Sequence, residues 1–207
     1  MKKFIIALLV IGVIAAGIYW YKASRPKDRT EDKEPVPIGV NSESDAFQAA
    51  FKNLMNTYYS MRDGFVNWDT VATNKAALAI QVQADSLPYR ELKATDSSII
   101  ETARAFSQSI SAEAKGILGE QNIEQKRRSF YTLSENLYNL VRTVQYNGER
   151  IYHQHCPMAF NDTEEAYWLS NNSEIMNPYL GKSHPKYKAG MLHCGDIADS
   201  LDFRKSQ

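Results

Sequence analysis

The sequence is poor in residues that bind metals or form crosslinks, and those it has lie in one place. Of its 207 residues only two are cysteine and four are histidine, and none of these precedes His153. Two cysteines exclude a disulfide-dense scaffold and leave a single bridge, a metal site or two free thiols. Charge of one sign is also missing: 24 Lys and Arg balance 24 Asp and Glu. With no basic stripe, nothing calls for a nucleic-acid partner, and the Lys126-Arg127-Arg128 run reads as a solvated helix face. There is no glycine-rich phosphate loop, and no paired C-x-x-C spacing of the kind zinc sites use. No Ser-His-Asp constellation is recognisable. The adjacent His155 and Cys156 do not make a nucleophile and its base, because neighbours on a strand point to opposite faces. The expectation is a protein that is not an enzyme.

One long hydrophobic run is present, at the N-terminus. Met1-Lys2-Lys3 precedes an uncharged stretch from Phe4 to Tyr21 that ends in Tyr19-Trp20-Tyr21. A charged start followed by an apolar run describes a membrane anchor or a signal peptide. The length is at the short end of what spans a bilayer, and the terminal aromatics suit the headgroup region. Ala15-Ala16-Gly17 would suit cleavage. Residues 1–24 are therefore expected to form a single-pass, inner-membrane anchor (or signal peptide) with the rest of the chain in the periplasm. Residues 25–41, charged and proline-bearing, cannot bury enough apolar surface to fold and read as a flexible linker. Residues 42–207 are long enough for one domain with a sizeable core.

Four helices are expected in that domain. The first starts at a Ser42 or Ser44 cap and carries Phe47, Ala50, Phe51, Leu54, Met55, Tyr58 and Met61 at 3.6-residue spacing, closing at Gly64. The second, capped by Asp69 or Thr70 and ended by Pro88, has an apolar set of Val71, Ala72, Ala76, Leu78, Ala79, Val82 and Leu87. The third starts near Thr95 or Asp96, carries Ile99, Ile100, Ala103, Phe106, Ile110, Ala114, Ile117 and Leu118, and stops at Gly119. The fourth opens with the capping box Asn122-Ile-Glu-Gln125 and carries Ile123, Phe130, Leu133, Leu137, Leu140, Val141 and Val144. Short connections predict a mainly α domain, an antiparallel four-helix bundle with a small irregular or β C-terminal subregion rich in Cys, Met and His. Asn147-Gly148 reads either as a hairpin turn joining 142–145 to 150–154 or as the cap of the fourth helix.

The chemistry is concentrated between Tyr152 and Gly195, which holds every histidine, both cysteines, and Met158, Met176 and Met191. If the Cys156-Pro157-Met158 and Met191-Leu192-His193-Cys194 units are neighbours, they join thiolate, thioether and imidazole groups. Soft sulfur ligands select monovalent copper over hard ions. Cys156 and Met158 share a strand face, as do Met191 and His193, so a turn at Cys194-Gly195 is needed to bring Cys194 round. The candidate metal ligands are Cys156, Met158, Met191 and Cys194, with His155 and His193 as auxiliaries. His184, in a lysine-rich loop, is expected at the surface. The competing reading is a Cys156–Cys194 disulfide closing the loop 157–193, which would stabilise the fold by roughly 3–4 kcal/mol in the chain-entropy treatment.

The segments His155-Cys156-Pro157-Met158-Ala159-Phe160, Ala166-Tyr167-Trp168-Leu169-Ser170, Ile175-Met176-Asn177-Pro178-Tyr179-Leu180-Gly181 and Met191-Leu192-His193-Cys194-Gly195 resemble the DUF3347 family of bacterial extracytoplasmic domains. The likeness extends over the helices, roughly residues 45 to 203. Such domains occur alone behind an anchor or on adaptor subunits of heavy-metal efflux pumps. The resemblance therefore implies copper or other heavy-metal handling, with an efflux adaptor or another envelope protein as partner. The Lys182–Gly190 insert, which holds His184, departs from the family pattern.

Overall fold

The chain divides into two units, Met1–Ile38 and Gly39–Gln207. The computed structural model describes residues 40–41, 44–94 and 97–204, all within the second. The expected anchor and most of the expected linker lie outside the described residues. Among those described, no helix is long and apolar enough to cross a membrane.

Four helices form the body: α1 (Asp45–Asn67), α2 (Thr70–Asp85), α3 (Ser97–Gly119) and α4 (Ile123–Val144). Each packs on the next in sequence. Caps explain several of their ends: the Ser44 hydroxyl accepts from the Phe47 amide, Asp69 from Ala72 and Asn122 from Glu124. The apolar sets expected for α1 and α4 are buried except for Ala50 and Ile123, which are partly so; Phe51, Leu54, Tyr58, Phe130, Leu133 and Leu137 are buried completely. Tyr58 ties α1 to α4 and to the sheet. Its ring stacks on Phe130 at 5.4 Å, its hydroxyl pairs with Ser134 at 2.7 Å, and it accepts from the Leu169 amide at 3.0 Å.

Three details differ from the expectation. Gly64 does not close α1, which continues to Asn67 with Trp68 in the left-handed region as its cap. A side chain at Gly64 would meet Thr73 of α2, so the glycine serves close helix packing. The inward face of α2 is Thr73, Ala76, Ala77, Ile80 and Ala84, whereas Val71, Leu78 and Val82 face solvent. Small side chains let α2 approach its neighbours closely, which inverts the usual rule that large apolar residues mark the core. Finally, Gln145 caps α4 in the left-handed region, and Arg142 to Val144 stay helical instead of forming a hairpin arm.

Two short strands, β1 (Val40–Asn41) and β2 (Lys93–Ala94), pair antiparallel. The larger sheet has the order β4-β3-β5 and is antiparallel throughout: β3 (Ile151–Phe160), β4 (Glu164–Ser170) and β5 (Asp196–Leu201). β4 packs on α4. The chain between β4 and β5, residues 171–195, is a long connection that carries Met191, His193 and Cys194.

Candidate functional site

The pairing of β3 with β4 sorts the site residues onto two faces. His153 lies opposite Leu169 and His155 opposite Tyr167, while Gln154 lies opposite Trp168 and Cys156 opposite Ala166. Side chains alternate along a strand, so the two histidines share one face and Cys156 takes the other.

The histidine face looks toward α4. The His153 ring stacks between Tyr138 at 4.0 Å and Tyr167 at 4.9 Å, and its Nε2 meets Glu135 Oε1 at 2.8 Å. His155 packs on Tyr167 at 4.7 Å; its Nδ1 meets Asp196 at 3.1 Å and its Nε2 meets Glu165 at 3.2 Å. Both nitrogens of His155 thus face carboxylates on different strands, and neither points toward the cysteines.

Residues 171–195 connect to the other face. Gln154 donates its side-chain amide to the Asn172 and Glu174 carbonyls at 3.2 and 3.0 Å. The Asn177-Pro178-Tyr179-Leu180-Gly181 segment is held to the helices through main-chain groups. Arg127 donates to the Pro178 and Phe65 carbonyls at 2.9 and 3.1 Å, Trp68 Nε1 donates to the Leu180 carbonyl at 3.1 Å, and the Lys182 amide donates to the Val66 carbonyl at 2.8 Å. Arg127 also lies over the Trp68 ring at 4.1 Å. Lys126 and Arg127 are therefore not a solvated face. Both are buried, with Lys126 reaching Asn74 and the Ile117 carbonyl, and burial lowers the pKa of each. Only Arg128 behaves as expected, exposed and paired with Glu164 at 2.9 Å. Tyr179 is buried between Phe130, Phe160 and Trp168 and donates its hydroxyl to the Tyr167 carbonyl.

This connection delivers Cys194 to Cys156. Their sulfurs are 3.5 Å apart, with Cys156 fully buried and Cys194 partly so. The turn needed at the end of the connection is present: the Cys194 amide donates to the Met191 carbonyl at 3.1 Å, and Gly195 takes φ 138°. A side chain on Gly195 would strike the His155 carbonyl and Trp168. Asn177, completely buried, holds the turn. Its Oδ1 accepts from the Tyr179 and Leu180 amides at 2.9 and 3.0 Å, and its Nδ2 donates to the Cys194 carbonyl at 2.8 Å. Burial pushes the Cys156 thiol up to about 11, against smaller opposing hydrogen bonds from the Met158 amide and Asn177.

Of the six expected ligands, the structure brings Cys156 and Cys194 into contact. Met191 stands at the start of the Cys194 turn and Met158 two residues along β3 from Cys156, both partly buried. His193 is exposed, with Nδ1 on the Ile175 carbonyl at 2.8 Å, which leaves Nε2 as its open nitrogen. His155 is turned away. His184 is half-buried rather than on the surface: its ring meets Trp68 edge-on and stacks on Tyr187, Nδ1 accepts from the Lys186 and Tyr187 amides, and burial lowers its pKa. Among the described residues no group of three or more His, Cys, Asp or Glu side chains is arranged to hold a metal ion. Asn177 had no role assigned from sequence, although an Asn before Pro is a common turn-former.

The fold and site define a mainly helical domain that supports a small sheet and a pair of neighbouring thiols, one buried and one partly buried. The model of the family described as "Protein of unknown function (DUF3347)" matches residues 54–148 and supports the resemblance read from the sequence. The match runs from within α1 into the α4–β3 connection, so both cysteines lie beyond it. No curated protein and no solved structure matches the chain.

Proposed function

We propose that the chain is a membrane-anchored, non-enzymatic domain facing the periplasm that binds a soft monovalent metal, copper, in efflux or sequestration. In this reading the four helices form an antiparallel bundle whose task is to carry the dithiol, and an efflux adaptor or another envelope protein is the partner. The observation that carries it is the 3.5 Å approach of Cys156 to Cys194. Two sulfurs held together, with Met158 further along β3 and Met191 and His193 on the turn before Cys194, form a donor set suited to a soft cation. The metal must displace the thiol protons, and the raised pKa of Cys156 makes that competition steep, so affinity rises with pH.

The test is a titration of the reduced full chain with monovalent copper against a competing chelator. One equivalent is expected, lost in Cys156→Ser and in Cys194→Ser and weakened in Met191→Leu. His155→Gln is expected to leave the affinity within about twofold, because its ring lies on the far face of β3. Unchanged affinity in both cysteine variants overturns the reading.

The same contact favours a second reading, a structural disulfide in an envelope interaction module. The sulfurs would need to close by only about 1.5 Å to reach bonding distance. Intact mass before and after alkylation, with and without reductant, separates the two. A bridge that persists in protein taken directly from the envelope supports the second reading, and two alkylatable thiols support the first.

A further inference from the structure

The outward face of α2 is the part of the helical body that the site does not use. Its residues recur at Val71, Lys75, Leu78, Val82 and Asp85, all exposed, and on a helix of 3.6 residues per turn they form one narrow stripe. Val71 is 80% exposed, Leu78 56% and Val82 62%. Three large apolar side chains in line on a helix are unusual on a surface with no partner. Lys75 and Asp85, of opposite charge, flank Leu78 and Val82, with Val71 one turn beyond Lys75, and among the described residues neither Lys75 nor Asp85 makes an ion pair.

The order of Lys75, Leu78, Val82 and Asp85 is self-complementary, while Val71 lies outside the pairing. If two copies of α2 lie antiparallel about a two-fold axis at Ile80, Leu78 of each faces Val82 of the other, and Lys75 of each faces Asp85 of the other. Parallel alignment would instead oppose Lys75 to Lys75 and Asp85 to Asp85, which is unfavourable. An isologous contact of this kind closes at two copies. Helix α2 packs on α1 and α3, while the dithiol lies on β3 and the turn before β5, so the contact would leave the cysteines untouched. We infer that the chain forms a weak two-fold dimer through the outer face of α2, with the Leu78–Val82 contacts at its centre and two Lys75–Asp85 pairs at its ends.

Sedimentation velocity of the reduced full chain, over a concentration series in one detergent, tests this. The wild type is expected to show reversible monomer–dimer exchange. Leu78→Asp should abolish it, and Lys75→Asp or Asp85→Lys alone should weaken it by about tenfold, since each turns two attractions into two repulsions. The double exchange Lys75→Asp with Asp85→Lys should restore it. That rescue is specific to the antiparallel register, and contacts through the N-terminal segment would not produce it. Lys52→Asp, on the exposed side of α1, is expected to change nothing. A chain that stays monomeric up to about 1 mM, or a dimer indifferent to Leu78→Asp, overturns the inference, and so does a double exchange that fails to restore association while circular dichroism shows the helices intact.

Discussion

Asn177→Ala is the most informative substitution, because Asn177 has no expected chemistry yet positions the turn that carries Cys194. Its side chain makes three hydrogen bonds, to the Tyr179 amide, the Leu180 amide and the Cys194 carbonyl. Tyr179 and Leu180 are each 2% exposed, so no water replaces the lost acceptor. Leaving a buried backbone donor unpaired costs about 1–3 kcal/mol. Two such amides and a partly solvated carbonyl give a loss of about 3–5 kcal/mol, a large part of the stability of an ordinary domain. Urea unfolding of the reduced protein, followed by circular dichroism, measures it. Asn177→Asp keeps both acceptor bonds but sets a carboxylate against the Cys194 carbonyl in a fully buried site, so its loss should stay large at neutral pH and shrink where acid protonates the new side chain and lets it donate. The rate at which a mild oxidant joins Cys156 to Cys194 should fall in the Ala variant, because the Cys194 turn is no longer fixed. A loss below about 1 kcal/mol, with an unchanged oxidation rate, would refute the assignment of Asn177 as the holder of the turn.

Three other expectations follow from the same geometry. Arg127→Met removes the donors to the Phe65 and Pro178 carbonyls and the stack on Trp68, and should cost about 2–4 kcal/mol; Arg127→Lys should not restore it, because an ammonium lacks the planar fork that reaches both carbonyls. Gly181→Ala should cost about 2 kcal/mol or more and shift the tryptophan emission. Its φ is +59° and a side chain would approach Trp68 Nε1 to 2.7 Å and the Val66 carbonyl to 2.8 Å. Because burial raises the Cys156 thiol from 9.0 to about 11, its contribution to stability is full below pH 9 and is lost as pH rises through about 11. The stability difference between wild type and Cys156→Ala, from urea curves at pH 8, 9, 10 and 11, should therefore shrink on the alkaline side; a difference that does not change with pH would contradict the burial of that thiol.

The sequence by itself determined the helical body. Capping residues such as Ser44, Asp69 and Asn122, and the 3.6-residue spacing of large apolar side chains in α1, α3 and α4, are local signals that each helix carries in full. It also confined the thiols and imidazoles to one segment, and strand alternation separated His155 from Cys156. Tertiary structure decided the rest. The inward face of α2 could not be read from hydrophobicity, since close packing selected alanine and threonine and left Val71, Leu78 and Val82 outside. Lys126 and Arg127 look like any charged pair on a helix; only the carbonyls that residues 171–195 and the ends of the helices turn toward them make burial favourable. The meeting of Cys156 and Cys194 depends on Arg127, Trp68 and Asn177, which act on main-chain groups and so leave no pattern of side-chain types. Hydrogen bonds to backbone carbonyls and amides are specified by chain path, and chain path is settled only when helices, sheet and connection pack together.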